Sequence, residues 1–344
     1  MRRLSLILSD FYLPAEVDAA AFAKNPLAAR ELPALEWLLR YADSQERVVD
    51  WRRWLLSVTN PGVKDLPIAA ISADGHIGDS NPDSIWLATP VALEVRLDHV
   101  RLLDRGLLRL DESERTALRE EFARVFGPEY QLHDGGERGF FLSGLSPIAK
   151  SMTDPARLIG SEIGPALPDR DAVELRRLWA ELEMWLHGAE INTARDRARK
   201  ARVSALWLWG AQSSVALKAF AAIAADVTFY GGDPLVTALA RRSSNFPKRA
   251  PHKWDEIGAD ASHVIAEFAT ITGEPHEALE ALDANWFAPV KEALVTGEMV
   301  ELDILANDRH FHVSRRPHRR FWRRGKKWLP QLGFAANEPH NRGT

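Results

Sequence analysis

Residues 203–210 read VSALWLWG and residues 226–235 read DVTFYGGDPL. Each is a short apolar run closed by glycine, the pattern of a strand buried on both faces. A helical pattern from Val215 to Ala224 lies between them, and another follows Gly231-Gly232-Asp233-Pro234, a turn and helix start with proline at the first helical position. A further strand, His263 to Phe268, and a helix, Pro275 to Leu294, come next. Strands alternating with helices predict a mixed α/β fold with a largely parallel sheet flanked by helices. Near the N-terminus, Leu4 to Leu8 is a buried-strand run opening into a loop at Ser9-Asp10. Helical faces come after it, carrying Leu32, Leu35, Leu38 and Leu39, then Trp51, Trp54 and Leu55.

An antiparallel meander is expected in the N-terminal half. In IWLATPVALEVRLDHVRLLD, residues 85–104, Val91, Leu93, Val95 and Leu97 alternate with Glu94, Arg96 and Asp98, which predicts one wet face. Asp111, with Glu114 three residues on, predicts a capped helix to about Phe126. Gly139 to Leu142 reads as a strand, and Val173 to Ala189 as an amphipathic helix. Met299 to Val313 reads as an antiparallel pair turning at Asn307-Asp308. Glycine and proline gather from Leu158 to Asp171, predicting an internal boundary there. The expected halves are residues 1–165 and 166–344, as two packed halves or one compact domain.

The chain has 344 residues, 46% apolar and 27% charged, which is globular usage. It has no cysteine, which excludes disulfides, thiolate zinc sites, iron–sulfur clusters and a cysteine nucleophile. Any metal must use His, Asp or Glu. The opening MRRLSLILSDFYLP sets two arginines before an apolar run, but that run is too short for a signal peptide and Asp10 interrupts it. With no stretch near the 18 or so apolar residues of a spanning helix, the expectation is a cytoplasmic protein that does not enter membranes. Net charge is −4, so no long-range pull on nucleic acid or anionic lipid is expected of the whole. Arg315, Arg316, Arg319, Arg320, Arg323, Arg324, Lys326 and Lys327 nevertheless succeed one another with no acid among them.

The passage LEMWLHGAEINTARDRARKARVSALWLWG, Leu182 to Gly210, resembles a block of the RpfE-type regulatory proteins of proteobacteria. There a helix ends in a His-Pro-Val-Asn-like stretch and leads to an Asn-Ser-Leu-Trp-Leu-Trp-Gly-like strand. The meander at 85–104, YGGDPLVTALA from Tyr230 and RRFWRR from Arg319 fall in the family's order, so the likeness spans nearly the whole chain. Its most specific part is the Trp-Leu-Trp-Gly block. That family is often labelled phosphoglycerate-mutase-like, by remote similarity to cofactor-independent mutases of the alkaline phosphatase superfamily. The resemblance implies a metal-binding Asp at the end of the first strand, a place Asp10 occupies. It departs at Ala189-Glu190-Ile191-Asn192, where the family has His-Pro-Val-Asn, and at Val203, where it has Asn. Asp255-Glu256-Ile257-Gly258 is followed by His263 at the wrong spacing for the mutases' ligand set, so the label implies a fold more than a reaction.

Several constellations carry two readings each. Asp10 lies where a parallel strand opens into a loop, the usual site position in open sheets, or it caps the next helix. Glu183, His187 and Glu190 at i, i+4 and i+7 suit a hard metal, or form an ordinary polar face. Asp308, His310 and His312 share a strand face compatible with zinc, or are turn composition. Gly210-Ala211-Gln212-Ser213-Ser214 opens a helix whose N–H groups suit a phosphate, or is a tight turn with a serine cap. An anion or substrate cleft would draw on Asp10, His187, Asn192, Arg195, Gly210, Gln212 and Ser213. The basic segment interleaves Phe321, Trp322 and Trp328, as a phosphate-tracking and base-stacking surface does; alternatively the tryptophans anchor the terminus and the arginines pair with acids. Two functions are open. One is a non-enzymatic regulatory or accessory protein, without cofactor or metal, binding an acidic protein or nucleic acid through Arg315, Arg316, Arg319, Arg320, Trp322, Arg323, Arg324, Lys326 and Lys327. The other is a metal-dependent, phosphoglycerate-mutase-like phosphotransferase or phosphohydrolase using Asp10.

Overall fold

Leu4, Leu6 and Leu8 alternate with Arg3, Ser5 and Ile7 along the first strand, so the sheet it joins has two unlike faces. The computed structural model describes residues 2–12, 30–44, 50–61, 67–74, 76–77, 85–148, 152–211, 223, 226–243, 246–258, 261–269, 275–317, 320, 322–325 and 327–332. Along the chain run β1 (Arg2–Leu8), α1 (Pro33–Tyr41), β2 (Asp43–Ser44), α2 (Trp51–Thr59), α3 (Ile68–Ser72), β3 (Trp86–Val95), β4 (Val100–Leu107), α4 (Glu112–Phe126), β5 (Gln131–Asp134), β6 (Phe140–Ser143), α5 (Val173–Gly188), α6 (Glu190–Arg197) and β7 (Ala205–Trp209). Then come β8 (Val227–Tyr230), α7 (Pro234–Arg242), β9 (His263–Phe268), α8 (Pro275–Leu282), a π-helical turn (Asp283–Phe287), α9 (Ala288–Thr296), β10 (Met299–Ala306), β11 (Arg309–Ser314) and α10 (Trp328–Gln331). Among the described residues no helix is long and apolar enough to cross a membrane.

Contacts divide the chain into two compact units, residues 1–51, 224–231 and 243–344 in the first and 52–223 and 232–242 in the second. In the first unit six strands lie in the order β2-β11-β10-β1-β9-β8. β10, β1, β9 and β8 are parallel, with β11 and β2 added antiparallel at one edge. Register sets Arg3 beside Glu301 and His263, Ser5 beside Asp303, and Asp303 beside His312. Paired residues share a face, so these polar side chains stand together on one side. The other side carries Leu4, Leu6, Leu8, Val264, Ala266, Leu302, Ile304, Phe311 and Val313, which form one core with Leu35 and Leu38 of α1, Leu279 of α8, Trp286, Phe287, Val290 of α9 and Trp328 of α10. Burying each large member contributes about 1.5–3 kcal/mol.

The helix pattern from Pro275 to Leu294 is interrupted by the π turn, and the interruption has a use. Leu32 offers α1 no side-chain cap. Asp283 supplies one from a distance: Leu35 N and Ala34 N donate to its Oδ1 and Oδ2 at 2.7 and 3.2 Å. Burial pushes the Asp283 carboxyl above its usual range, against the pull of those two N–H groups.

The second unit is built on β3, which pairs antiparallel with β4, β6 and β7, while β5 extends the sheet beyond β6. Asp111 and Glu114 form the expected capping box on α4. α5 buries Leu175, Leu178, Trp179, Leu182 and Leu186, and Trp179 meets Trp207 edge-on with ring centroids 5.0 Å apart.

Three expectations change. The strand at 203–209 joins the antiparallel sheet, pairing Leu87 with Trp209 through to Val91 with Ala205; an apolar run buried on both faces carries no directional signal of its own. The glycine- and proline-rich passage from Leu158 to Asp171 lies inside the second unit, where Gly160 N bonds Leu102 O at 3.0 Å. It is a loop laid along β4, and the contact-defined units do not divide at 165/166. The meander's alternation also runs past the core: Val95, the last residue of β3, and Leu97 in the turn after it are 79% and 109% exposed. The helical pattern from Val215 to Ala224 falls, Ile223 apart, outside the described residues.

Replacing Asp283 by Ala leaves two N–H groups at the start of α1 without their acceptor and should lower unfolding free energy by about 1–3 kcal/mol in urea titrations. Asp283→Asn, which keeps one acceptor oxygen, should recover part of that loss.

Candidate functional site

Parallel strands deliver their carboxyl ends to one edge, and in open α/β sheets that edge is where ligands bind. β1 ends in Ser9 and Asp10, β9 in Glu267 and Phe268, β8 in Gly231, and β10 in Asn307 and Asp308. Hydrogen bonds knit these ends together. Ser9 N donates to Phe268 O at 3.1 Å and Asn307 N to Phe11 O at 3.0 Å, while the Ser9 hydroxyl donates to the Glu267 carboxylate. Gly231 has φ +150°, and a Cβ there would stand 2.6 Å from Glu267 Oε2. Only glycine lets the chain leaving β8 pass so close.

Asp10 is 6% and Glu267 3% exposed. Two buried carboxylates on neighbouring strand ends carry a desolvation cost of several kcal/mol each unless something offsets it. Among the described residues no three His, Asp or Glu side chains gather closely enough to hold a metal ion. Carboxylates at such an edge suit magnesium, which takes one or two of them and completes its shell with water and substrate oxygens. Arg309 and Tyr12 line a small recess at this same edge with Asn307 and Asp308.

The proposed zinc face at Asp308, His310 and His312 is not formed. Asn307 and Asp308, at φ 49° and 58°, make the hairpin turn and take Asp308 off the strand. Asp303 meets the imidazoles instead, its Oδ1 lying 2.7 Å from His310 Nε2 and 2.9 Å from His312 Nδ1. Burial alone would raise the Asp303 carboxyl; the hydrogen bonds from His310 and His312 outweigh it and hold it below its usual range. On the same sheet face Ser5 Oγ is 3.1 Å from His263 Nε2. Burial, then the charge of Arg3, push the His263 imidazole below its ordinary value.

The other candidates resolve into structure. α5 ends at Ala189, whose extended backbone (ψ 142°) starts a new helix, so Glu190 falls out of phase with Glu183 and His187, and all three side chains are exposed. Asn192 is buried, donating to Leu186 O and Val203 O at 2.7 and 2.9 Å and accepting from Val203 N at 2.7 Å. Arg195 donates to Ala201 O at 2.6 Å and to Glu114 at 2.7 Å. Gly210, at φ +76°, accepts from Ala69 N at 3.2 Å. Gln212 and Ser213 lie outside the described residues. Asp10 belongs to the first unit and His187, Asn192, Arg195 and Gly210 to the second, so neither unit assembles the expected cleft.

The basic segment is also partly consumed. Arg320 pairs with Asp43 at 2.7 Å, and Arg323 with Asp43 and Ala42 O. Burial would raise the Asp43 carboxyl, but the bonds from Arg320 and Arg323 prevail and hold it below its usual range. Lys327 lies 3.7 Å from both Glu31 and Glu36, and Trp328 is buried with Nε1 donating to Arg30 O at 3.0 Å. These residues strap the chain over α1 and β2. Arg315, Arg316 and Arg324 stand exposed, as does Trp322 at 67%; Arg319 and Lys326 lie outside the described residues.

Sequence reasoning missed a buried ion network in the second unit. Arg52 donates to Asp154 and, at 2.7 Å, to Asp233, which Arg138 also reaches at 3.3 Å. The Arg52 guanidinium lies 4.7 Å over the Trp209 ring. Burial would raise Asp233, but the charges of Arg52 and Arg138 prevail and hold it below its usual range. Asp233 Oδ1 also accepts from Leu235 N at 2.9 Å, the capping role its Gly-Gly-Asp-Pro context suggested.

No family model matches the chain, and no curated protein matches it. Among solved structures it is similar to the cofactor-independent phosphoglycerate mutase of Thermoplasma acidophilum, at 17% identity over 91% of this chain and 89% of that one, with a TM-score of 0.40. It is also similar to the PH0037 protein of Pyrococcus horikoshii, at 13% identity over 91% and 87%, with a TM-score of 0.45.

Because folded His263 takes a proton less readily than unfolded His, stability should fall as pH drops through its unfolded value of about 6.5 and level off below the folded one. Asp303 contributes oppositely placed: its share persists across that window and is lost only when pH falls beneath the ordinary carboxylate range. His263→Gln should flatten the slope of urea midpoint against pH between about 7 and 5; a slope equal to wild type would contradict this.

Proposed function

We propose that the chain is a phosphoryl-transfer or phosphate-ester-hydrolysing enzyme that binds a magnesium-type cation and a phosphorylated substrate at the carboxyl edge of its parallel sheet. The observation that carries this reading is the burial of Asp10 and Glu267 at the ends of adjacent strands β1 and β9. Asp10 and Glu267 would hold the ion, which when bound supplies positive charge to phosphoryl oxygens. Ser9 orients Glu267 through its hydroxyl, and Gly231 keeps the space beside that carboxylate narrow. Arg309 stands at the same edge to meet a phosphate. In the cofactor-independent mutases to which the resemblance remotely extends, an Asp at the end of the first strand binds a metal, and Asp10 sits at the comparable place, which supports the same assignment. Calorimetric titration with Mg²⁺ or Mn²⁺ should show one site, and Asp10→Asn and Glu267→Gln should each weaken it about tenfold or more, near 1.4 kcal/mol. Absence of cation binding by the unaltered chain would remove the reading.

A second reading is favoured by the exposure of Arg315, Arg316, Arg324 and Trp322: docking of an acidic protein or nucleic acid on the first unit. Replacing the three arginines by Ala should weaken binding to a single-stranded oligonucleotide and flatten its salt dependence. Arg320→Ala and Arg323→Ala should chiefly lower thermal stability, since those side chains already bond Asp43. Identical salt titrations for the triple variant and wild type would falsify this docking surface.

A further inference from the structure

Among the described residues β5 is the outermost strand of the second unit's sheet and pairs with β6 alone, so its far side is an edge of the kind that invites another strand. Side chains and a turn occupy that edge instead. Tyr130 N donates to Phe126 O at 3.2 Å, the Asp134 carbonyl meets His76 Nδ1 at 3.2 Å, and Leu132 O accepts from Arg119 Nε at 3.2 Å. Arg115 and Arg119 stand one turn apart on α4 and both reach β5, but their charges fare differently. Arg115 donates to Asp134 Oδ1 and to Leu110 O, each at 2.9 Å, which consumes it. Arg119 commits Nε to a carbonyl, and among the described residues no carboxylate meets its Nη1 or Nη2. It is half-buried all the same, and a partly desolvated guanidinium without a counter-charge is unfavourable to hold.

An open depression of about 610 Å³ lies against this arginine. Arg119, Glu120 and Ala123 of α4 form one wall, and Pro128, Gln131 and His133 the other. His133 Nε2 lies 2.9 Å from Ser143 Oγ, and among the described residues Nδ1 has no protein partner. Burial, then the charge of Arg119, push the His133 imidazole below its ordinary value, so at neutral pH it is an uncharged donor or acceptor near the guanidinium. Fixing Nε on the edge of β5 steadies the guanidinium plane, and the Nη pair is the fork that takes a carboxylate or phosphate through two parallel bonds. The Glu120 carboxylate on the same wall decides between the two. It repels a phosphate dianion about twice as strongly as it repels a carboxylate. Ala123 and Pro128 supply apolar surface for the carbon chain of an organic acid.

We infer that this depression is a binding site for the carboxylate of a small organic acid, held by the Nη fork of Arg119 with His133 and Gln131 beside it. The site lies wholly in the second unit and is independent of the ion-and-phosphate reading of the first. Butyrate and inorganic phosphate are titrated separately into the full chain at constant ionic strength, with the histidine ring signals followed by NMR and His133→Gln identifying the one concerned. Butyrate should shift the His133 signal saturably and raise that imidazole toward its ordinary value, because a bound anion favours the charged form. Arg119→Gln should weaken butyrate about tenfold or more. Gln131→Glu, a change at an exposed position that leaves Arg119 on Leu132 O, should weaken it too by adding a second negative charge. Glu120→Gln should narrow the preference for butyrate over phosphate. No saturable His133 shift in the unaltered chain overturns the site. So does butyrate affinity that is unchanged in Arg119→Gln or, where that variant does not fold, in Gln131→Glu. Phosphate binding more tightly than butyrate overturns the carboxylate assignment.

Discussion

The first unit depends on the register of β1 between β9 and β10. With Ser5 beside Asp303 and Ile265, every odd position of β1 meets the polar side and every even one the core. A slip of one residue would turn Leu4, Leu6 and Leu8 onto the side of Asp303 and His312 and set Arg3 and Ser5 against the leucines of α1. The same register positions the strand ends. Ser9 N reaches Phe268 O, and Asn307 N reaches Phe11 O, because from Arg3 onward β1 stays in step with β9 and β10, the one register shift lying between Arg2 and Arg3. The constraint that forms the core therefore also brings Asp10 and Glu267 to one edge, and core and candidate site share one cause.

What was legible in the chain was local. The capping box at Asp111 and Glu114 involves residues three apart, and the β10–β11 hairpin is announced by alternation around Asn307-Asp308. Asp10 at the mouth of β1 is legible as an apolar run meeting a charge. What was not legible was pairing. Asp303 bonds two histidines seven and nine residues away across a hairpin, and nothing in the spacing of Asp308, His310 and His312 distinguishes it from Asp308. The strand at 203–209 has the same apolar pattern whichever sheet receives it; Ser204 Oγ, accepting from Leu93 N at 3.0 Å, belongs to the antiparallel answer. Glycine and proline from Leu158 to Asp171 report a loop truthfully but not that the loop lies along a strand of its own unit.

Charge runs are misleading for a related reason. A count from Arg315 to Lys327 finds no acid, yet Asp43 lies 277 and 280 residues from Arg320 and Arg323 and takes both. The converse holds in the second unit. Arg52, Arg138, Asp154 and Asp233 are scattered in the chain and meet in the interior. Breaking such a network by removing one member costs about 3–5 kcal/mol, although an apolar replacement of the whole can be neutral. Its evident return is specificity of position: Asp233 caps the start of α7 and Asp154 accepts from Ala156 N, so each carboxylate fixes a chain reversal while its charge is matched by arginine.

The π turn combines the two lessons. A regular helix from Pro275 to Thr296 would satisfy its own backbone and needs no tertiary partner to explain it. The observed helix gives up that regularity at Asp283–Phe287. The cap on α1 accounts for Asp283, which lies 248 residues from its donor Leu35 and so could not be read from either segment. The shifted phase beyond Asp283 also turns Trp286 toward β9. Trp286 bonds the Pro251 carbonyl and meets Phe268 edge-on at the end of the strand that bears Glu267. One irregular turn thus meets two partners that a regular helix would present to the same side, the start of α1 through Asp283 and the last residue of β9 through Trp286, and its lost backbone regularity is offset by both contacts.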